Sequence, residues 1–246
     1  MALQKQNTRK LDIGFLHASP LIYKKGKATH VPEQLEFPRE KETIKQAVHE
    51  SEKAIKFKSM VATQKNFTEM LQQEPQILHI SCHGYAFKVK DKEVKEHFLL
   101  FEKQSGEGEL VSQKSLNKIV RKAFAFIELV FVAACDSEFI GNIFHKSGAK
   151  HVICVKQGKH VLDEAAIFFT NRLYKKLFNG CKICDAFIEA KEDVEYNFGF
   201  IESDLFTLLT QDGPYGPKTE QGESKKNENE IDHVCAKIRK FDGGNL

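Results

Sequence analysis

The sequence predicts an α/β fold in which helices flank both faces of a mainly parallel sheet. Short apolar runs alternate along the chain with amphipathic stretches, a pattern typical of strand–helix–strand units. Two of the runs, residues 77–81 and 129–134, are mostly apolar, as strands buried on both faces are. Residues 98–112 hold two apolar runs separated by Ser-Gly-Glu-Gly, which indicates an inserted β-hairpin.

The same patterns assign each element in chain order. Strands are predicted at residues 11–17, 58–62, 77–81, 129–134, 149–155 and 205–210. Helices are predicted at residues 39–55, 66–73, 114–124, 139–146, 162–178 and 184–194. The first helix is assigned from Ile44, Ala47 and Val48, which recur at helical spacing among charged residues. Residues 24–38 contain Gly26 and two prolines, and are predicted as a loop.

The domain organisation follows from a change in composition near the end of the chain. With 246 residues, the chain is long enough for one large domain with its own core. Residues 1–212 are predicted to form that domain. Residues 213–246 begin with a glycine–proline cluster and are mostly polar, so they are predicted as a linker and tail that could lead to a further module.

Composition argues against several classes of partner. Thirty-seven basic residues face 34 acidic ones, for a net charge of +3, so nucleic acid is not expected as a partner. No apolar run approaches the roughly 20 residues of a membrane span, and residues 1–10 lack the apolar core of a signal peptide. All six cysteines are therefore expected to be reduced, in a cytoplasmic protein.

Two of the buried strands end in reactive side chains. The run 77–81 leads into His83-Gly84, and the run 129–134 leads into Cys135. Residues just past the carboxyl ends of parallel strands line the ligand crevice. A cysteine and a histidine meeting there are the parts of a thiolate nucleophile and its base. The alternative is a packed core thiol beside an ordinary histidine, and the pairing of the two favours catalysis.

The residues around Cys135 and His83 suggest how a thiol could be activated. A cysteine attacks only as the thiolate. His83 can take the proton, and Asp136-Ser137-Glu138 has the pattern of a capped helix N-terminus, which would lower the thiol pKa. Asp136 opposes this by its like charge. Gly84 lets its backbone N–H approach a substrate carbonyl, so the amides of Gly84 and Cys135 are predicted to form an oxyanion hole.

These motifs resemble a known group of proteins. A strand ending in His-Gly, followed by a strand ending in Ala-Cys-x-Ser, resembles the clan of caspases, separases and gingipains. Residues 147–155, then Asp163-Glu-Ala-Ala, then the segment 168–180 resemble the CHAT domain. This is the caspase-like family found with tetratricopeptide repeats, and the match runs from about residue 77 to residue 193.

The resemblance implies a caspase-like sheet and a thiol endopeptidase with His83 as base and Cys135 as nucleophile. It implies no third catalytic residue, no metal and no organic cofactor, a protein or peptide substrate, and activation by a sensor or repeat module in signalling or defence. Two features depart from the family pattern. Glu138 stands where the family usually has glycine, and residues 155–159 lack its usual tryptophan. Both departures keep open a catalytically degenerate interaction module.

Acidic residues near the strand ends are candidates for substrate binding. Related proteases that cut after basic residues place an acidic side chain in the pocket, and Asp163 and Glu164 follow the fifth strand. Asp163 could instead cap the helix that starts near residue 162. Asp136 is a further candidate for a substrate contact. Cys181 and Cys184 form a single CxxC pair without a second pair at zinc-site spacing, so no metal is expected.

Overall fold

The computed structural model describes residues 11–88, 95–120 and 126–210. In chain order, the strands are β1 (Ile13–His17), β2 (Tyr23–Lys25), β3 (Ala28–His30), β4 (Phe57–Val61), β5 (Ile77–Ser81), β6 (His83–Lys88), β7 (Lys95–Glu102), β8 (Gly108–Ser112), β9 (Leu129–Ala133), β10 (His151–Val155) and β11 (Phe206–Thr210). The helices are α1 (Phe37–Glu50), α2 (Gln64–Gln72), α3 (Gln113–Val120), α4 (Glu138–Lys146), α5 (Asp163–Phe178), α6 (Ile183–Phe198) and α7 (Phe200–Asp204).

The larger sheet has six strands in the order β11-β10-β9-β5-β1-β4. All neighbours run parallel except β10 and β11, which are antiparallel. The central strands β9 and β10 are buried almost throughout, as parallel strands covered on both faces must be. The predicted α/β class and the mainly parallel sheet are confirmed.

Two apolar cores lie on the two faces of this sheet. One core joins the sheet to α2, α3 and α4 through residues such as Phe67, Leu116 and Phe144. The other joins it to α1, α5 and α6 through residues such as Ile44, Phe169 and Phe187. Each helix contributes an apolar stripe at helical spacing. The helices therefore flank both faces, as the sequence predicts.

The predicted β-hairpin is part of a larger second sheet. Strands β7 and β8 pair as expected, but they belong to a five-stranded sheet in the order β3-β2-β8-β7-β6. The prediction of a loop over residues 24–38 holds for residues 31–36 and is wrong before them, because β2 and β3 form a hairpin that turns at Gly26, whose φ is +62°. Glycine adopts this left-handed conformation at no steric cost. The β2–β8 pairing joins residues distant in sequence, so local sequence patterns do not predict it.

Helix α1 begins earlier than predicted, at Phe37 rather than residue 39. Pro38 lies in its first turn, where a proline needs no hydrogen-bond partner for its nitrogen. The predicted linker and tail at 213–246 and the end of the helix predicted at 114–124 lie outside the described residues. In the part of the chain that the structure covers, no helix is long and apolar enough to cross a bilayer.

Candidate active site

Strand pairing brings the predicted base and nucleophile to the same edge of the larger sheet. Strands β5 and β9 are neighbours, and Ser81 lies opposite Ala133 at the end of the pairing. His83 and Cys135 follow those two residues at the same interval. Because both strands point the same way, both side chains emerge at the carboxyl edge, where ligands bind in open parallel sheets.

Gly84 brings the backbone of the histidine strand directly against Cys135. A Cβ atom added at Gly84 would overlap the carbonyl oxygen of Cys135 and would lie 3.0 Å from its carbonyl carbon. Since the obstructing atoms are backbone, a side-chain rotation cannot relieve the overlap. Glycine is required at this position for a close approach between β6 and the Cys135 loop. The predicted role of the Gly84 amide in an oxyanion hole stays a prediction.

His83 is oriented by a backbone carbonyl. Its Nε2 lies 2.6 Å from the carbonyl oxygen of Glu33. A carbonyl oxygen only accepts hydrogen bonds, so Nε2 carries the proton, and in the neutral ring Nδ1 keeps its lone pair. The ring also stacks on Tyr85, with centroids 5.9 Å apart. A histidine held in this tautomer has the nitrogen that a general base needs.

The segment that carries Glu33 is itself anchored on two sides. The backbone N–H of Leu35 donates to Ser19 Oγ at 3.1 Å. The N–H of Glu36 donates to Asp163 Oδ2 at 2.8 Å. These bonds hold the stretch before α1 against the segment that follows β1 and the start of α5. The segment that carries the Glu33 carbonyl is therefore held in place by two side chains, Ser19 and Asp163.

A buried polar network lies behind His83. Glu40 Oε1 accepts hydrogen bonds from His79 Nε2 and Thr170 Oγ1, each at 3.0 Å, and His79 Nδ1 lies 3.1 Å from Tyr174 Oη. Burial alone would raise the pKa of Glu40, but attraction to His79 and hydrogen bonds from His79, Ser81 and Thr170 outweigh it and lower that pKa. The network ties α1, β5 and α5 together.

Cys135 lies in surroundings that favour the neutral thiol. Burial raises its pKa, the nearby carboxylates of Asp136 and Asp163 add to this effect, and a backbone hydrogen bond at Val161 opposes it. Sγ lies 3.9 Å from that carbonyl oxygen, which only a protonated sulfur can approach as a donor. The expectation that local features lower the pKa of Cys135 is wrong for this conformation, because desolvation and like charges dominate.

Ser137 does not cap a helix as the sequence suggested. It is the residue preceding α4, but its side chain makes no capping hydrogen bond. Its fully buried Oγ donates to the Val132 carbonyl at 3.2 Å and accepts from the Val155 N–H at 2.9 Å. The serine of the Ala-Cys-x-Ser motif therefore joins β9 to β10. Helix α4 begins only at Glu138, so its positive end is separated from Cys135 by Asp136 and Ser137.

Asp136 and Glu138 hold the loop that follows β10. The Asp136 carboxylate is 7% exposed; one oxygen accepts from the Gly158 N–H, and the other lies 3.2 Å from His97 Nδ1. Glu138 Oε2 accepts from the Gln157 N–H at 2.9 Å. Asp136 is thus engaged inside the protein rather than turned toward a substrate, which argues against its predicted contact. Glu138 points at the loop and does not lie against the Cys135 thiol.

The strained backbone of Asp136 reinforces this arrangement. Its φ is +52°, a left-handed conformation that costs energy for a residue other than glycine. In this conformation, its N–H donates to the Lys159 carbonyl at 3.0 Å. The loop at residues 156–161 is therefore fastened to the nucleophile segment, and this fastening positions the Val161 carbonyl beside Cys135.

Asp163 and Glu164 occupy the start of α5, close to His83. Asp163 is the first residue of the helix, and Leu162 precedes it without a side-chain cap. The alternative that Asp163 caps its own helix is wrong, since its carboxylate accepts from Glu36 instead. Burial raises the pKa of Asp163, the carboxylates of Glu40 and Glu36 add to the rise, and His83 opposes it. Glu164 is exposed and lies 3.8 Å from Arg39.

A match to a known protein family identifies the family to which this chain belongs. The family model described as "CHAT domain" matches residues 6–198, which is most of the chain. The chain belongs to the CHAT domain family. This places it among caspase-like peptidase domains, in agreement with the order of the His83 and Cys135 motifs. The search of curated proteins found no match.

The solved structures that match this CHAT domain are only remotely similar to it. One is the pyridoxal kinase from Staphylococcus aureus in complex with AMP-PCP and pyridoxal, with 10% identity, a TM-score of 0.34, and coverage of 77% of this chain and 88% of that one. Another is an ADP complex of Bacillus subtilis pyridoxal kinase, with 9% identity, a TM-score of 0.30, and coverage of 74% and 89%. Similarity this low carries no argument about function.

Two backbone carbonyl groups in the candidate site of this CHAT domain could not be predicted from the sequence. The carbonyl oxygens of Glu33 and Val161 contact the predicted base and nucleophile. Every residue carries a carbonyl, so no residue type at these positions could have revealed the contacts. Among the described residues, no three histidine, cysteine, aspartate or glutamate side chains gather in a way that could hold a metal ion.

Proposed function

We propose that this CHAT domain is a cysteine endopeptidase in which His83 and Cys135 form a dyad. The observation that carries the proposal is the hydrogen bond from His83 Nε2 to the Glu33 carbonyl, which leaves Nδ1 as the base. The close contact of Gly84 with the Cys135 backbone supports it, because it brings the histidine strand beside the nucleophile loop. A nucleophile, a base and a group that orients the base are the parts such chemistry requires.

The reaction proceeds through a thioester. His83 Nδ1 takes the proton from Cys135 Sγ, and the thiolate attacks the carbonyl carbon of the scissile peptide bond. The backbone amides of Gly84 and Cys135 stabilise the oxyanion. The carbon–nitrogen bond then breaks as His83 returns the proton to the leaving amine. Water, activated by His83, hydrolyses the thioester and releases the new carboxyl end.

We infer a preference for a basic residue before the cleaved bond. Asp163 is half-buried near His83; burial raises its pKa, and the carboxylates of Glu40 and Glu36 add to the rise. A substrate lysine or arginine would relieve this accumulation of negative charge. Glu164 is less suited, because it is exposed and lies close to Arg39.

The alternative is a domain that keeps the fold and acts as an interaction or oligomerisation module. The observation that favours it is the Cys135 thiol, which lies against the Val161 carbonyl with a raised pKa. A domain activated by a sensor or repeat partner would have the same resting state. The two functions differ in whether Cys135 reacts under any condition in a manner that depends on His83.

Covalent labelling separates the two functions. The folded protein is treated with a peptidyl electrophile ending in arginine, and adducts are located by intact and peptide mass spectrometry. We expect an adduct on Cys135 that is absent in Cys135→Ala and strongly reduced in His83→Ala. The matched reagent ending in aspartate should label more slowly, and Asp163→Asn should remove the difference. If Cys135 is labelled no faster than the other cysteines, and if His83→Ala does not change its rate, the protease proposal is contradicted. The domain would then act as an interaction module.

A further inference from the structure

Four large apolar side chains are exposed together near the active site. Leu162 is 58% exposed, Tyr196 91%, Phe200 65% and Ile201 77%. We call them the α7 patch, since α7 carries two of them and Tyr196 lies in the last turn of α6. The Leu162 N–H donates to Glu202 Oε2 at 3.2 Å, which joins the start of α5 to α7. Large apolar side chains exposed on adjoining elements are candidates for an interaction site.

A groove lies between α1 and α5, and Phe198 at the end of α6 lines it. It has a volume of about 230 Å³, and its apolar walls are Ile167, Phe168 and Phe198. Phe168 and Phe198 meet edge to face, with centroids 5.5 Å apart, so the groove is bounded by rigid rings. The other lining residues are polar or charged, namely Arg39, Thr43, Glu164 and Asn171. The groove is therefore a recess of mixed character with apolar walls on one side, large enough for a side chain.

The surroundings of the α7 patch are strongly acidic. Residues 183–204 contain seven acidic residues and a single lysine, Lys191. Several of these carboxylates already pair within the fold, as Asp193 does with Arg172 at 2.7 Å. The remaining excess of negative charge favours an occupant that is both apolar and basic.

The chain itself contains a segment of that chemistry. In residues 231–241, apolar side chains recur at Ile231, Val234, Ile238 and Phe241, and three basic residues lie among them, at positions 237, 239 and 240. Twenty residues separate this segment from the end of β11. An extended chain of that length reaches about 65 Å, more than the diameter of about 45 Å of a domain this size.

We propose that residues 231–241 dock on the α7 patch of the same molecule, with apolar side chains against Leu162, Phe200 and Ile201. Docking buries apolar surface that would otherwise face water and sets basic residues beside the acidic α6–α7 region. One consequence rests on the proposed function. Leu162 lies between Val161, whose carbonyl meets the Cys135 thiol, and Asp163, which holds Glu36. The docked segment therefore bears on the reactivity of Cys135.

Disulfide trapping in the full chain tests the docking without any catalytic activity. Cys235 lies within the proposed segment, and Ile201→Cys supplies its partner in a Cys135→Ala background. The matched control is Leu21→Cys, which replaces a side chain that is 71% exposed and lies beside the smaller sheet. Oxidised glutathione is the oxidant, and cross-linked peptides are identified by mass spectrometry.

We expect position 201 to join Cys235 at least about tenfold faster than position 21 does, because docking raises the effective concentration of the two thiols. Ile238→Asp with Phe241→Asp should return the rate at position 201 to that of the control, without disturbing the domain. Equal rates at the two positions would overturn the proposal. Covalent dimers in place of intramolecular cross-links would also overturn it, in favour of docking between two copies.

Discussion

The two sides of the candidate active site are prepared to different degrees. On the histidine side, the Glu33 carbonyl fixes the His83 tautomer at 2.6 Å, and the Asp163–Glu36 bond anchors the segment that carries it. On the cysteine side, the thiol lies against the Val161 carbonyl, and burial raises its pKa. The base is ready for its role in this conformation, whereas the nucleophile is not.

This difference indicates which side must change for catalysis. Orientation of the base needs only a backbone hydrogen bond and is built into the fold. In the proposed mechanism, activation of Cys135 requires that Sγ leave the Val161 carbonyl and that its proton pass to His83 Nδ1. The loop at residues 156–161 is fastened to the nucleophile segment through Asp136 and Glu138. We therefore expect activation to act on the cysteine side.

The largest expected effect comes from separating the two sides. Gly84→Ala places a methyl group against the Cys135 carbonyl, and a displacement of about 1 Å at a reacting centre costs about a hundredfold in rate. We therefore expect the rate at which the arginine-ending electrophile labels Cys135 to fall about a hundredfold.

The matched control is Gly14→Ala in β1, where the added methyl group meets the flexible thioether of Met70. It should leave the labelling rate within about threefold, since a flexible side chain can move aside at small cost. Equal labelling of Gly84→Ala and Gly14→Ala would show that the contact between Gly84 and Cys135 does not position the dyad.

The next largest effect is a loss of stability when the buried Glu40–His79 pair is broken. Glu40→Leu leaves His79 buried without its acidic partner, and breaking a buried pair costs about 3–5 kcal/mol in the free energy of unfolding. Urea unfolding measures the loss. Glu40→Leu combined with His79→Leu should recover much of it, because two apolar side chains leave no buried charge. A double variant as unstable as the single one would contradict the pairing.

The pH dependence of unfolding has a definite sign for the same carboxylate. The folded state lowers the pKa of Glu40, so its stabilising contribution is present above the ordinary carboxyl pKa and is lost as the pH falls through the lowered value. The difference in stability between the native chain and Glu40→Leu should therefore shrink toward acid pH. A difference that grows on acidification would place the pKa shift in the opposite direction.

A titration of reactivity measures the cysteine side. Because burial raises the pKa of Cys135, alkylation by iodoacetamide should keep accelerating above the pH at which an unhindered cysteine levels off. At neutral pH, we expect a rate about tenfold below that of a cysteine in a short peptide. A rate that is already high and constant between about pH 6 and 8 would instead indicate a preformed thiolate–imidazolium pair.

The smallest effect is expected from a substitution that frees the loop at residues 156–161 on the cysteine side. Glu138→Gly removes the acceptor of the Gln157 N–H, at a cost of about 1–2 kcal/mol in stability. A less firmly held loop should raise the alkylation rate of Cys135 by about two- to fivefold. Glu138→Gln, which keeps an acceptor oxygen, is the control and should stay near the native rate. A slower reaction in Glu138→Gly would show that the loop supports reactivity instead of restraining it.

The α/β class, the parallel core strands, and the location of His83 and Cys135 at one edge of the sheet are predictable from local sequence patterns. Apolar runs such as 77–81 and 129–134 carry this information locally, because each strand must be buried along its whole length. The ordered motifs likewise identified the CHAT family. Gly84 was recognisable as a point of close approach, although the atom it approaches was not.

The contacts of the individual site residues, by contrast, depend on the folded chain. The β2–β8 pairing, the Glu33 carbonyl at His83 and the Val161 carbonyl at Cys135 join segments far apart in sequence, and backbone carbonyls leave no mark in residue type. The pKa of Cys135 also depends on burial and on Asp163, 28 positions along the chain. Local pattern sets where strands and helices form, but the electrostatics of a site depend on which of them the fold brings together.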